Sequence, residues 1–260
     1  MSQNRTAKPP RRPDLAVDPN KNPAKSSNGK PESPDKKPKR RALLGLFKRK
    51  EKWALTGRGW LVSLAAAAVL ALAFIFWVHP FLAVTDRVDT EYLVIEGWVP
   101  NYALEESIAE FKSKPYKMIF TVGADPLTGV HVEQNDSIAI EACKRLKFLG
   151  VNPDLITPVP ARIKYRNRTF QSAVALRKWI EENHVPMTSF NLVTLGAHSR
   201  RSRLLFEEAF DGKARVGIIS VEDREYDPKR WWKYSEGVRE VIGEGVGYVY
   251  ARFFFHPGKQ

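Results

Sequence analysis

Residues able to do chemistry in this chain gather in four short runs, and arginine dominates two of them. Gly196 to Arg203, GAHSRRSR, sets a histidine beside a serine and three arginines, and Ala161 to Thr169, ARIKYRNRT, brings Arg166 and Arg168 up to a threonine. Arg166, Arg168, Arg200, Arg201 and Arg203 can clamp a phosphate or carboxylate by bidentate hydrogen bonds, unless neighbouring Asp and Glu already neutralise them. His198 suits a general base or a phosphate partner, and equally a capping or surface residue. The other runs are Glu96 to Trp98 and Thr121 to Asp125, in which Glu96 and Asp125 are candidate acids or bases. His131 and His198 are too few for a metal centre unless Asp125, Glu133 and Asp136 gather around them, so no metal is expected. The chain has no G-x-S-x-G elbow, Walker loop, HExxH or G-x-G-x-x-G, which leaves serine hydrolase, NTPase, zincin and dinucleotide readings without a motif.

For these runs to meet, the elements around them must form a parallel sheet whose carboxyl ends face one way. Beyond residue 85, β-branched runs alternate with segments of helical period, the pattern of βα units. Glu91 to Trp98 reads as a first strand, and Pro100 and Asn101 open a helix with Leu104, Ile108 and Phe111 on one face. Lys117 to Val122 is a second strand stopped by Gly123; a helix from about Asp136 buries Ile138, Ala142 and Leu146 and ends at Gly150. Leu155 to Val159, interrupted by prolines, reads as a weaker strand, either at an edge or strand only at its start. Thr169 is placed as N-cap of a helix that buries Ala173, Leu176 and Ile180. Phe190 to Leu195 is the clearest central strand, Ser199 starts a helix with Leu205, Ala209 and Phe210, and Val216 to Val221 is a further strand. Ser235 to Phe255 is typed as helix by its length, with Val238, Val241, Ile242, Gly245 and Val249 at helical spacing. Trp231, Trp232 and Tyr234 before it form an aromatic wall over a pocket or pack into the core. The expected fold is therefore α/β, a doubly wound, mostly parallel, Rossmann-like three-layer sheet over 85–255. In such sheets ligands bind outside the carboxyl ends of the strands. That rule nominates Gly97, Trp98, Gly123, Arg168, Thr169, Gly196, Arg200 and Arg201 for ligand binding, with Glu96 and His198 as the catalytic candidates.

Ahead of this domain, Trp60 to Val78 holds nineteen residues without a charge. At about 1.5 Å of rise per residue such a helix nearly spans a bilayer's hydrocarbon core, so 59–80 is expected to be a single transmembrane helix. A signal peptide has a shorter apolar region behind a short basic segment. The chain carries 42 Lys and Arg against 29 Asp and Glu, with a pI near 9.8, which at first suggests a nucleic-acid binder. The position of the charge excludes that reading: residues 1–58 hold a net +12, leaving +1 for the remainder. A basic flank before the span and a balanced one after it place the N-terminus in the cytoplasm and the domain outside, in the inner membrane of the cell. Residues 1–39, with eight prolines and almost no large apolar side chain, form a basic tail expected to be disordered. In 40–58, Leu43, Leu44, Leu46 and Phe47 sit between basic clusters, as in an interfacial helix or a plain basic linker. Cys143 is the only cysteine, so no intrachain disulfide can form.

The strand-end motifs resemble those of the YdcF/SanA/ElyC-like family of bacterial envelope proteins over roughly Tyr92 to Tyr250. Family members typically show a glycine loop after the first strand, Thr-Gly-Gly after the second, Asn-Thr-x-Glu-Asn opening a helix, and a Val-Thr strand followed by His-x-x-Arg. The counterparts here are IEGW at Ile95 to Trp98, TVGA at Thr121 to Ala124, RTFQS at Arg168 to Ser172, and VTLGAHSRR, with His198 and Arg201 in the His-x-x-Arg places. This chain departs from the pattern where Arg168 and Gln171 replace an Asn and a Glu, so a carboxylate is lost and a cation gained. The resemblance implies an envelope role in handling peptidoglycan or its lipid-linked precursors. A cytoplasmic relative is associated with S-adenosylmethionine; that cofactor is not carried over, and the cofactor stays unassigned.

Two functions follow as expectations. One is an envelope enzyme or binding protein acting on an anionic, phosphorylated metabolite, with the lipid bilayer as its setting and no nucleic-acid partner. The alternative is a non-catalytic tethered module that binds another envelope protein through the same arginines.

Overall fold

The computed structural model describes residues 54–124, 137–161 and 167–257. The tail, all of 40–58 before residue 54, and the candidates Asp125, His131, Glu133, Asp136 and Arg166 lie outside the described residues. Helix α1 (Gly57–Leu82) is capped by the Thr56 hydroxyl, which accepts from the Gly59 N–H. It is long and apolar enough to cross a membrane, and its most apolar stretch is not buried anywhere in the protein.

After α1 come β1 (Tyr92–Glu96), α2 (Asn101–Ser113), β2 (Met118–Ala124), α3 (Ile138–Phe148), β3 (Ile156–Ala161), α4 (Arg168–Glu182), β4 (Ser189–Leu195), α5 (Ser199–Phe210), β5 (Arg215–Val221) and α6 (Ser235–Phe253). The five strands form one sheet in the order β3-β2-β1-β4-β5, with every neighbouring pair parallel. Apart from the partly exposed Tyr92 and Thr157, the strands' β-branched and aromatic residues are buried on both faces, as a parallel sheet covered by helices requires. Leu93, Ile95 and Ile119 pack with α2 and α3 residues such as Leu104 and Leu146, while Val94, Phe120 and Leu192 pack with α4 and α5 residues such as Leu176 and Phe206. The sheet is thus doubly wound, and the strand order reverses between β1 and β4.

Several boundaries differ from the sequence reading. β2 does not stop at Gly123 but runs through it to Ala124, because Gly123 still pairs with Pro160 of β3. Ser137 caps α3, its side chain accepting from the Ile140 N–H, and Ile138 is only half-buried. Asn167, in the left-handed conformation, is the N-cap of α4, and Thr169 lies within its first turn. The proline-bearing β3 is an edge strand, one of the two readings its prolines allow.

The last turns of α1 are welded to the domain. Leu82 is completely buried and packs in a cluster with Ala197, Tyr226, Trp231 and Val241. Trp231 Nε1 donates to the Ile75 carbonyl at 2.9 Å, Trp232 meets Phe76 edge-on, and Tyr248 meets Phe81. Trp231 and Trp232 therefore pack against α1, while Tyr234 stays exposed. Gly237 makes this approach possible, since a Cβ there would lie 2.5 Å from the Trp231 carbonyl oxygen.

Candidate functional site

The switch point between β1 and β4 holds a buried polar cluster. Glu96 ends β1 and is 3% exposed. Its Oε2 accepts from Thr194 Oγ1, on the adjacent strand, and from Ser202 Oγ of α5 at 2.9 Å. His198, on the 3-10 turn that carries β4 into α5, places Nε2 at 3.6 Å from the same oxygen, an ion pair beyond hydrogen-bond reach. On the other side of the ring, Nδ1 lies 2.9 Å from Glu244 Oε1 of α6. Arg201, one turn into α5, grips Glu244 with two bonds, Nε to Oε2 at 2.6 Å and Nη2 to Oε1 at 2.9 Å. Two carboxylates and two cations thus tie β1, α5 and α6 together.

The charges set one another's protonation. Burial pulls the His198 pKa down, but the carboxylates of Glu96 and Glu244 outweigh it and raise the value to about 9. Burial likewise opposes ionisation of Glu244, yet Arg201 and His198 bring its pKa down to about 2. Glu96 follows the same logic, with burial overcome by His198, Thr194 and Ser202 to leave its pKa below the usual carboxylate value. Glu240 goes the other way: burial and the nearby Glu244 charge raise it. At neutral pH His198 is therefore an imidazolium, which has no lone pair with which to act as a base.

Beside this cluster lies a cavity of about 100 Å³, lined by Asn167, Arg168 and Thr169 of the α4 start, Arg201 of α5, and Gly247 and Tyr250 of α6. The α4 N-terminus has no side-chain cap, and its opening residues Asn167, Arg168 and Thr169 line the cavity. Gly247 keeps the cavity's floor: a Cβ there would come within 3.0 Å of Arg201 Cδ.

Of the residues nominated from sequence, Arg168, Thr169 and Arg201 line this cavity together. Glu96, Trp98 and His198 meet at the switch point, where the half-exposed Trp98 ring stands edge-on to His198 with centroids 5.0 Å apart. Gly97 and Gly123 face elsewhere. Cβ atoms on them would lie 2.6 Å from the Ile138 carbonyl oxygen and 3.1 Å from the Ala139 nitrogen, so both admit the start of α3. Gly196 has a positive φ of 44° and backs onto Asp223 and Tyr226. Arg200 donates to the Phe81 carbonyl and lies over the Phe81 ring, and Arg203 pairs with Asp86 and Glu207, so these two serve α1 and the start of the domain.

Sequence reasoning missed Glu244, Glu240 and Arg145. Arg145 donates to the carbonyls of Gly97 and Val99 at 2.6 and 3.0 Å and fixes the loop that bears Trp98. The signal for the two acids was their i, i+4 spacing with Gly247 and Ala251 at i+7 and i+11, which marks one face of α6. His198, Glu240 and Glu244 lie close enough to share a cation, with ligand atoms within 4.8 Å of one another. The Arg201 guanidinium already occupies that position, bonded to Glu244 and 3.0 Å from His198 Nδ1. Compared with family models, with characterised proteins and with solved structures, the chain matches none.

Proposed function

We propose that this chain is a single-pass, membrane-anchored cell-envelope protein of the YdcF/SanA/ElyC-like type. Its α/β domain binds an anionic, phosphorylated envelope metabolite, such as a peptidoglycan precursor, at the carboxyl edge of the sheet. The supporting observation is the cavity in which the first turn of α4, Arg168, Thr169 and Arg201 converge. Helix N–H groups, a hydroxyl and guanidinium groups are the donors that recognise phosphate oxygens. The cavity is smaller than the roughly 300 Å³ at which drug-sized ligands are enclosed, so it receives one anionic group while the rest of the ligand lies outside. Binding is favoured over proton transfer because His198 carries its proton at neutral pH and Glu96 is sealed under Thr194 and Ser202.

The full chain in detergent, titrated with inorganic phosphate, nucleotide sugars and polyprenyl phosphates, tests the reading by thermal shift. A ligand of this class raises the Tm by mass action. Arg168→Ala and Thr169→Val should abolish most of that rise, measured for each variant against its own ligand-free Tm. No response to any phosphorylated compound would remove the anion site and favour the tethered interaction module.

A further inference from the structure

Helix α6 presents two opposite faces. Glu240, Glu244, Gly247 and Ala251 point toward the switch point and the cavity. Val238, Ile242, Val246, Val249 and Phe253, at positions i, i+4, i+8, i+11 and i+15, form a continuous apolar stripe on the outside, each at least 40% exposed. Of Val238, Val241, Ile242, Gly245 and Val249, which share helical spacing, only Val241 is buried. A stripe of large aliphatic and aromatic residues left exposed by the described residues marks an interaction surface.

What covers it is indicated by α1. Along its flank α6 touches α1 through Tyr248 on Phe81 and Gly245 beside Leu82, and the segment leading into α6 donates from Trp231 to the Ile75 carbonyl and packs Trp232 edge-on to Phe76. Ile75 and Phe76 belong to the uncharged stretch Trp60 to Val78. Where α1 crosses a bilayer, the start of α6 is therefore held at the level where the span leaves the hydrocarbon. The residues at that level, Trp77, Trp232 and Tyr234, are of the type that occupies the headgroup boundary. Arg239 and Arg252 are exposed on the two sides of the stripe, within reach of lipid phosphates.

We infer that α6 lies on the bilayer surface as an interfacial helix, with the stripe Val238–Ile242–Val246–Val249–Phe253 immersed in the headgroup and acyl boundary of the leaflet from which α1 emerges. The occupant of the stripe is lipid, continuous with the lipid around α1. This inference rests on α1 being membrane-inserted, as proposed above. Its consequence is that the domain is attached at two places, which sets the cavity on the opposite side of α6 at a fixed height above the headgroups.

Single cysteines at Val69 (centre of α1), Val246 (stripe) and Phe148 (91% exposed, at the far end of α3), in a Cys143→Ser background, are labelled with an environment-sensitive fluorophore. The full chain is reconstituted in nanodiscs of mixed zwitterionic and anionic lipid carrying spin-labelled acyl chains. The label at Val69 should be quenched by deep spin labels, the label at Val246 severalfold more strongly by shallow than by deep ones, and the label at Phe148 by neither. Quenching at Val69 with none at Val246 overturns the inference and leaves the membrane span intact. Loss of quenching at Val69 overturns the span itself. Disulfide cross-linking of two Val246→Cys copies, or a blue-shifted label there that lipid does not quench, assigns the stripe to a second chain or another protein and likewise overturns it. Val246→Ser with Val249→Ser, which spares every buried contact, should reduce vesicle-surface quenching of a label at Ile242 severalfold.

Discussion

His198 is held between two carboxylates, and that arrangement makes its proton part of the stability of the fold. The folded pKa is raised from 6.5 to about 9, so its stabilising contribution is complete below about pH 6.5 and is lost as the pH rises toward 9, about 3 kcal/mol in all. Glu244 has the opposite sign. Its pKa falls from 4.5 to about 2, so its contribution is present above pH 4.5 and disappears as the pH falls toward 2. Melting curves between pH 6 and 10 should therefore show a decline in Tm that His198→Gln flattens; an equal decline in both proteins would show that the proton resides elsewhere. Removing the other partner is harsher. Glu244→Gln strips the partly buried Arg201 of its bidentate partner and leaves Glu96 as the one carboxylate paired with His198, and it should cost about 3 kcal/mol. The double replacement Arg201→Met with Glu244→Leu removes both members and should cost less than Glu244→Gln alone, as read by urea denaturation.

At the scale of elements, α6 joins the site to α1, and its glycines divide according to what each one faces. A Cβ on Gly237 would lie 2.5 Å from the Trp231 carbonyl and 3.0 Å from the Tyr226 ring, while one on Gly243 would meet nothing within 4 Å. Gly243→Ala should therefore stabilise the protein by about 0.4 to 1 kcal/mol through helix propensity and a less flexible unfolded chain. Gly237→Ala should destabilise it by 1 kcal/mol or more, on the order expected for overpacking, because backbone rather than a flexible side chain blocks the space. Thermal melts of the two variants side by side check the contrast; the same sign for both would mean that α6 does not approach the Pro228–Lys233 turn as described.

For the whole molecule, the junction between α1 and the domain decides how the protein can be cut. A chain beginning at residue 85 loses Leu82, which is fully buried, and the Ile75 carbonyl that accepts from Trp231. It should be less stable than a chain beginning at residue 74 by about 2 to 4 kcal/mol, the sum of a buried leucine and one hydrogen bond. Equal melting temperatures for the two would show that the weld contributes nothing. The charge distribution makes a separate prediction about placement. Deleting residues 1–39 should leave the protein in the membrane fraction after a high-salt wash, because salt screens the tail's attraction to lipid but not helix insertion. In intact spheroplasts an impermeant thiol reagent should label Phe148→Cys and spare a cysteine placed in the tail; the reverse pattern inverts the topology.

The sequence alone determined what is local and periodic. The uncharged run Trp60 to Val78 announces α1, because hydrophobicity and length are properties of one continuous segment. The βα alternation announces a parallel sheet, and the prolines of β3 narrow that segment to an edge or to strand only at its start. His198, Arg201 and Glu96 were legible as polar residues at strand ends. Their partners were not, because Glu244 reaches His198 from 46 residues further along the chain, and only the packing of α6 across the sheet edge brings the two together. The same packing decided the orientation of α6. Its valines are spaced equally well for facing in or out, and the choice went to the face with Glu240, Glu244 and Gly247 because Arg201 and His198 supplied buried charges that had to be paired. Asn191, set among the apolar residues of β4, makes the same point. Its amide is buried between the Val88 backbone and Tyr116 Oη, in space that the missing Cβ of Gly217 leaves open. Such complementarity depends on residues far apart in sequence, so no single segment carries it.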